Sequence, residues 1–313
     1  MWRWRHRNDA AVTTTSDSLG AGLLSADEQA RIKRIEVRTR RLASSALGGD
    51  YRSVFRGTGI EFSEAREYVP GDDVRFIDWN VTARMGAPWV KEFVEERELS
   101  IVCAVDLSAS QLVAHREDGR IGAAAELTAL LGFAAVQHHD RAGLLTFGGA
   151  IERFVPPKHG SNHALRLVRD VLHHPDPAPG TSLATAAEYL ARVLRRRSVV
   201  FLISDFFDDG YADALRALSR RHDVIALVLV DPADLELPDL GIVRFAPAEG
   251  GPPRLLDSAS TAVRQQYARA AQARVAQRQR LLASAGVDEV ELRLDQDLVA
   301  PIARYFRLRA GRR

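Results

Sequence analysis

The sequence predicts an α/β protein, a doubly wound, mostly parallel sheet flanked by helices, preceded by an N-terminal accessory β segment. Three observations carry this. Ile101 to Val105 and Val199 to Ile203 are short, unbroken apolar runs rich in β-branched residues, the pattern of strands buried on both faces. Helical segments separate these runs and the similar run Val224 to Val230, as successive crossovers in a parallel sheet require. The first run stops abruptly at Asp106, followed by Ser108 and Ser110. Oxygen-bearing side chains therefore gather at a strand's carboxyl end, where open α/β sheets bind ligands.

In chain order, residues 1–25 are polar and unpatterned and read as a disordered tail. Trp2-Arg3-Trp4-Arg5 is too short a basic and aromatic stretch to define a binding segment by itself. Ser25 with Glu28 forms a capping-box pattern, and Ile32, Ile35, Thr39 and Leu42 fall on one face of the helix that follows. Gly48-Gly49 ends it. Residues 26–98 thus comprise this helix and an accessory segment from Tyr51 to Glu98. Turn signals at Gly57-Thr-Gly59 and Pro70-Gly-Asp-Asp73 punctuate aromatic and β-branched residues there, which predicts short antiparallel strands. Its dense charges of alternating sign suit either a self-paired solvated surface or a docking face.

Residues 99–309 form the main domain. Gly119 to His138 is an alanine- and leucine-rich helix, Ala142 to Phe147 a strand, and Ile151 to Val155 its hairpin partner across Gly148-Gly149. Helices are expected at Asn162 to His173, Leu183 to Arg195 and Tyr211 to Arg220. Ile242 to Phe245 and Arg254 to Leu256 suggest an edge hairpin. Thr261 to Ala283 is a long helix. Val290, Leu292 and Leu294 alternate with charges as a half-exposed edge strand, and a short helix through Ile302 and Phe306 closes the fold.

Composition narrows the function classes. Basic and acidic residues nearly balance, 43 against 41 for a net charge of +2, which gives no general attraction to nucleic acid. The arginine runs Arg195 to Arg197 and Arg264 to Arg280 read as solvated helix faces rather than RNA contacts. The single cysteine, Cys103, lies in a predicted core strand and excludes a disulfide framework or a cysteine-built zinc site within one chain. The paired histidines His138-His139 and His173-His174, with His159 and His163, lack a His-Glu-x-x-His pattern. No run approaches the roughly 18 apolar residues of a membrane span, and the N-terminus lacks a secretory apolar stretch. A cytoplasmic location is expected.

Asp106, Ser108 and Ser110 offer hard oxygens, the donors Mg²⁺ or another divalent cation accepts. Two further strand ends bring matching groups. Thr181 stands on a loop before a helix, and Asp205 directly follows the strand Val199 to Ser204. Each alone reads as a helix cap. Together, in doubly wound topology, they form a metal site.

This constellation resembles the metal-ion-dependent adhesion site (MIDAS) of von Willebrand factor A domains. Asp106, Ser108 and Ser110 match its first motif, Thr181 its second and Asp205 its third. The segments Arg56-Gly-Thr-Gly-Ile-Glu-Phe62, Arg66-Glu-Tyr-Val-Pro-Gly-Asp-Asp-Val-Arg75 and Ile77-Asp-Trp79 resemble the signature of the bacterial family called domain of unknown function 58. The likeness spans roughly Leu42 to Arg309. It departs at Gln111, where methionine is more usual. It implies a von Willebrand factor A-like, Rossmann-like fold in which Ser108, Ser110 and Thr181 approach a divalent cation through hydroxyls while Asp106 and Asp205 supply charge. It further implies a non-enzymatic, Mg²⁺-dependent protein-binding adaptor that works with a MoxR-type AAA+ ATPase and whose protein client donates a carboxylate to the metal.

The alternative is a metal-dependent, phosphatase-like hydrolase using Asp106 as nucleophile. Such enzymes need a second carboxylate as acid or base; Ser108 cannot serve, and Asp208 and Asp209 read as loop residues. No Gly-x-x-x-x-Gly-Lys-Ser/Thr loop is present to bind ATP.

Overall fold

The computed structural model describes residues 2–3, 26–43, 61–94, 98–112, 114, 116, 118–173, 180–247 and 252–311. The Ser25 cap, the Gly48-Gly49 stop, the Gly57-Thr-Gly59 turn and most of the expected N-terminal tail lie outside them. The elements are β1 (Trp2–Arg3), α1 (Ala26–Leu42), β2 (Glu61–Glu67), α2 (Trp79–Met85) and β3 (Trp89–Val94), then β4 (Ser100–Asp106), α3 (Gly119–Gln137), β5 (Arg141–Phe147), β6 (Ile151–Lys158) and α4 (Ser161–Leu172). They continue as α5 (Leu183–Val193), β7 (Val199–Ser204), α6 (Ala212–Ser219), β8 (Asp223–Val230) and α7 (Pro232–Leu235). β9 (Ile242–Pro247), β10 (Arg254–Asp257), α8 (Thr261–Ser284), β11 (Asp288–Arg293) and α9 (Val299–Ala310) complete the chain.

Six strands form the central sheet in the order β11-β8-β7-β4-β5-β6. All neighbours are parallel except β5 and β6, which form the antiparallel hairpin expected at Gly148-Gly149. β4 sits in the middle because it is apolar on both sides. Ile101, Cys103 and Val105 enter one core, with residues of α3, α4 and α9. Val102 and Ala104 enter the other, with residues of α5 and α6. That period-two division is what a doubly wound strand requires. The chain leaves β4 toward β5 and β6, then returns to the opposite side of β4 through β7. The switch point is therefore between β4 and β7, at Asp106 and Asp205.

Helix α3 is long and apolar enough to cross a membrane, but 89% of that stretch is buried inside the fold, so its apolarity serves the core. Gly143 lets β6 close on β5 at a register shift. A Cβ there would lie 2.9 Å from the Val155 carbonyl oxygen.

Two expectations change. The β9–β10 hairpin does not extend the central sheet; it forms a separate three-stranded sheet with β1, whose Trp2 and Arg3 pair with Pro247 and Ala246. The two residues of the tail that are described are thus strand-paired, because β9 presents a free antiparallel edge to them. In the accessory segment, β2 and β3 pair antiparallel as expected, but a 3-10 turn at Val74–Phe76 and helix α2 lie between them. Asp73 and Asp78 cap these turns by accepting backbone N–H bonds, and such local capping wins over extended structure.

Some charges of this segment pair within it, among them Arg75 with Asp73 at 2.6 Å. Arg66 grips Asp72 with two bonds of 2.7 and 2.8 Å, holding that carboxyl well below its usual range, and Lys91 faces Asp78 at 3.6 Å. Val69, Val74, Phe76, Trp79 and Met85 are left exposed around them.

Candidate metal centre

The site begins where β4 ends. Asp106 is still in the ladder, opposite Phe147 of β5, and is only 1% exposed. The chain then turns into a 3-10 turn at Ala109–Leu112. This turn folds back so that the Ser108 N–H donates to Asp106 Oδ1 at 3.0 Å. Ser108 Oγ and Ser110 Oγ stand 3.0 Å apart, and both residues are buried.

Asp205 leaves β7 on the other side of the switch point. Its Oδ1 accepts from the Phe207 N–H at 3.1 Å. Its Oδ2 is buried and has no hydrogen-bond partner, with Arg120 Nε 4.0 Å away. The next residue, Phe206, has φ of 56°, a left-handed conformation that costs a non-glycine residue about 1–2 kcal/mol. Its ring, edge-on to Tyr211 at 5.9 Å, holds that turn in place.

Thr181 is half-buried and lies between two anchors. A Cβ on Gly180 would stand 3.8 Å from Gly149 Cα, and the Ser182 N–H donates to the Gly148 carbonyl at 2.9 Å. Ser182 caps α5 by accepting from the Thr185 N–H, which frees Thr181 from that duty. The Leu183 N–H in turn donates to Asp208 at 2.8 Å, tying this loop to the one after Asp205. Loops following β4, β5 and β7 thus meet at one carboxyl edge, and the loop carrying Thr181 is bound to two of them.

Several members of the site carry no motif in sequence. Ser204 Oγ donates to Asp106 Oδ2 at 2.6 Å and accepts from the Phe206 N–H at 3.1 Å; a polar residue closing an apolar strand was its signal. Gln111 Nε2 donates to Asp106 Oδ2 and to Ser110 Oγ, both at 3.2 Å. Arg120 is fully buried, donates to Asp234 at 2.5 Å, and lies 3.4 Å from the Ser110 carbonyl. Its signal was a charge in the first turn of a core helix.

Electrostatics fit a cation. Burial first, and the nearby Asp205 carboxylate second, push Asp106 up to about 7, against hydrogen bonds from Ser204 and Ser108. Two like charges in a buried space repel unless something positive joins them, and Arg120, whose Nε lies 4.0 Å from Asp205 Oδ2, already offsets part of that repulsion on the Asp205 side. A spacing of 3.0 Å between the two serine oxygens also matches neighbouring ligands on an octahedron with bonds of about 2.1 Å, which lie about 3.0 Å apart. Asp205 Oδ2, buried with no hydrogen-bond partner and 4.0 Å from Arg120 Nε, is a further hard oxygen on the facing strand end. Asp106, Ser108, Ser110 and Asp205, with Thr181 on the adjoining loop, fit Mg²⁺. Among the described residues no group of three or more His, Cys, Asp or Glu could hold an ion. A cavity of about 210 Å³ opens beside Asp205, lined by Phe207, Asp208, Tyr211, Asp234 and Arg274 among others.

The fold and this edge define a class: an α/β protein with a doubly wound sheet whose switch point carries an Asp-x-Ser-x-Ser loop. Residues 64–277 match the family described as protein of unknown function DUF58. The chain belongs to that family. An uncharacterized protein of Mycobacterium tuberculosis is 36% identical over 283 residues, 88% of each chain. One from Mycobacterium avium is 35% identical over 158 residues, 50% of this chain and 93% of its own. Among solved structures the chain is similar to BatB from Bacteroides thetaiotaomicron, at 17% identity and a TM-score of 0.44 over 68% of this chain and 99% of that one. It is also similar to the SpRpn10 VWA domain, at 11% identity and a TM-score of 0.36 over 67% of this chain and 95% of that one.

Proposed function

We propose that this protein is a non-enzymatic adaptor that captures a protein client through a divalent cation, Mg²⁺ by preference, held at the β4–β7 switch point. One observation carries the reading. Asp106 and Asp205 bring two buried carboxylates to that point, one oxygen of which has no hydrogen-bond partner, beside paired serine hydroxyls. Ser108, Ser110 and Thr181 would hold the cation through neutral oxygens, and Asp106 and Asp205 would balance its charge. When bound, the cation supplies an electrophilic position that a carboxylate from the client completes, so cation and client bind cooperatively.

The machine served, on the family resemblance, is a MoxR-type AAA+ ATPase, and a partner that consumes ATP places the work in the cytoplasm. The buried posture of Asp106, hydrogen-bonded on both oxygens, favours holding over nucleophilic attack. The test is capture of clients and of the ATPase by the full chain, with Mg²⁺ and with EDTA, beside the double variant Asp106→Ala, Ser108→Ala. Client capture lost in EDTA and in the variant is expected. Mg²⁺-dependent phosphatase turnover that disappears in Asp106→Asn would overturn the adaptor reading.

A further inference from the structure

Gln111 is 1% exposed and immediately follows Ser110. Its Nε2 is shared between two oxygens of the candidate centre, Asp106 Oδ2 and Ser110 Oγ. Its Oε1 is buried with no hydrogen-bond partner. A buried carbonyl left unpaired costs about 1–3 kcal/mol. The turn itself is firmly held. The Gln111 N–H donates to the Ser108 carbonyl at 2.9 Å. The start of α3 presses close, since a Cβ on Gly119 would come within 3.1 Å of the Gln111 carbonyl oxygen.

Resting on the cation reading above, we propose that Gln111 is a further member of the centre, an amide that changes partners with occupancy. Without a cation its N–H₂ group, the positive end of the amide dipole, stands in for one by donating to Asp106 and Ser110. With a cation present its carbonyl oxygen becomes an additional donor. The oxygen and nitrogen ends of a glutamine amide have nearly the same shape, and its last torsion is soft and roughly two-fold. A half-turn therefore exchanges them in the same space. The carbonyl oxygen would then stand about 3.2 Å from Ser110 Oγ, close to the roughly 3.0 Å edge of a Mg²⁺ octahedron. The Asp106 carboxylate oxygen and the turned amide oxygen, both acceptors, repel at that spacing unless a cation joins them, so the turn and the binding are one event. A methionine here would offer only a soft thioether, which Mg²⁺ does not accept. Gln111 thus biases the site toward hard cations.

The experiment is calorimetric titration of the full chain with Mg²⁺, wild type against Gln111→Met, with thermal unfolding in EDTA to verify that the variant is folded. Affinity about tenfold weaker is expected, the loss typical when a group supporting a metal site is removed. Equal or tighter binding by Gln111→Met would overturn the proposal while leaving the cation reading intact. Absence of binding by the wild type would sink both. Gln111→Glu, measured well above neutral pH so that the new group is ionised, gives an independent measurement, since a carboxylate without a proton supplies oxygen but cannot stand in for the cation. Mg²⁺ should raise its melting temperature more than it raises the wild type's, and an equal or smaller rise counts against the exchange.

Discussion

The guanidinium of Arg120, 1% exposed, donates to the Asp234 carboxylate at 2.5 Å. Asp234 also accepts from the Asp231 N–H in the capping box of α7, so this pair fastens the start of α3 to the loop after β8. It does so directly behind Asp205. Burial pushes the Asp234 carboxyl upward, opposed chiefly by Arg120. Removing one partner of a buried ion pair strands the other charge and costs about 3–5 kcal/mol. Arg120→Met should therefore lower unfolding free energy by that order in urea. Asp234→Asn in the same chain should recover part of the loss, and fully additive effects would show that the two residues are not coupled.

Ser204 offers a test of how the centre is held. Its hydroxyl joins Asp106 to the strained Phe206 turn through bonds of 2.6 and 3.1 Å. Ser204→Ala removes both while leaving every proposed cation ligand in place. Removing a hydrogen bond that orients a metal ligand typically costs about 10–100-fold in affinity, so Mg²⁺ affinity measured by calorimetry should fall about tenfold. Unchanged affinity would show that Ser204 supports the fold alone.

His222 predicts an acid limit on stability. Burial lowers its pKa below the ordinary value, helped by Arg221 and Arg197, and neither ring nitrogen has a hydrogen-bond partner. A histidine held neutral by the fold contributes stability above its unfolded pKa near 6.5. That contribution is lost as pH falls below that value toward and past the lower folded one. His222→Phe should flatten the decline of melting temperature between about pH 6.5 and 5. A decline as steep as the wild type's would remove His222 as its cause.

Gly143 tests the sheet that presents the centre. A Cβ there meets the Val155 carbonyl oxygen at 2.9 Å and the Pro157 ring at 3.0 Å, and a backbone oxygen in a ladder cannot swing aside. Gly143→Ala should destabilise by about 1–3 kcal/mol, the range for an overfilled site, as measured by denaturant unfolding. A neutral result would show that β6 is free to shift outward.

The strands of the main sheet and the helices between them were legible in sequence because strands buried on both faces leave runs such as Val199–Ser204, read in the order the chain is made. The seats of Asp106 and Asp205 at strand ends were legible for the same reason, since a charge ends an apolar run. Where the β9–β10 hairpin would dock was not, because an antiparallel pair satisfies its own backbone and its register says nothing about a third strand. Nor was α2 legible, since Asp78 at its cap looks in sequence like any turn residue.

By itself, then, the sequence determined a doubly wound sheet, its two cores and the run of oxygen-bearing residues Asp106, Ser108 and Ser110 at a strand end. Only the tertiary structure decided which distant groups close around them: Ser204 on Asp106, 98 residues away, and Arg120 on Asp234, 114 residues away. Hydrophobic patterning is additive and local, so a linear reading recovers it. Satisfying a buried charge depends on which partner the crossover brings within about 3 Å, and only the folded chain sets that distance.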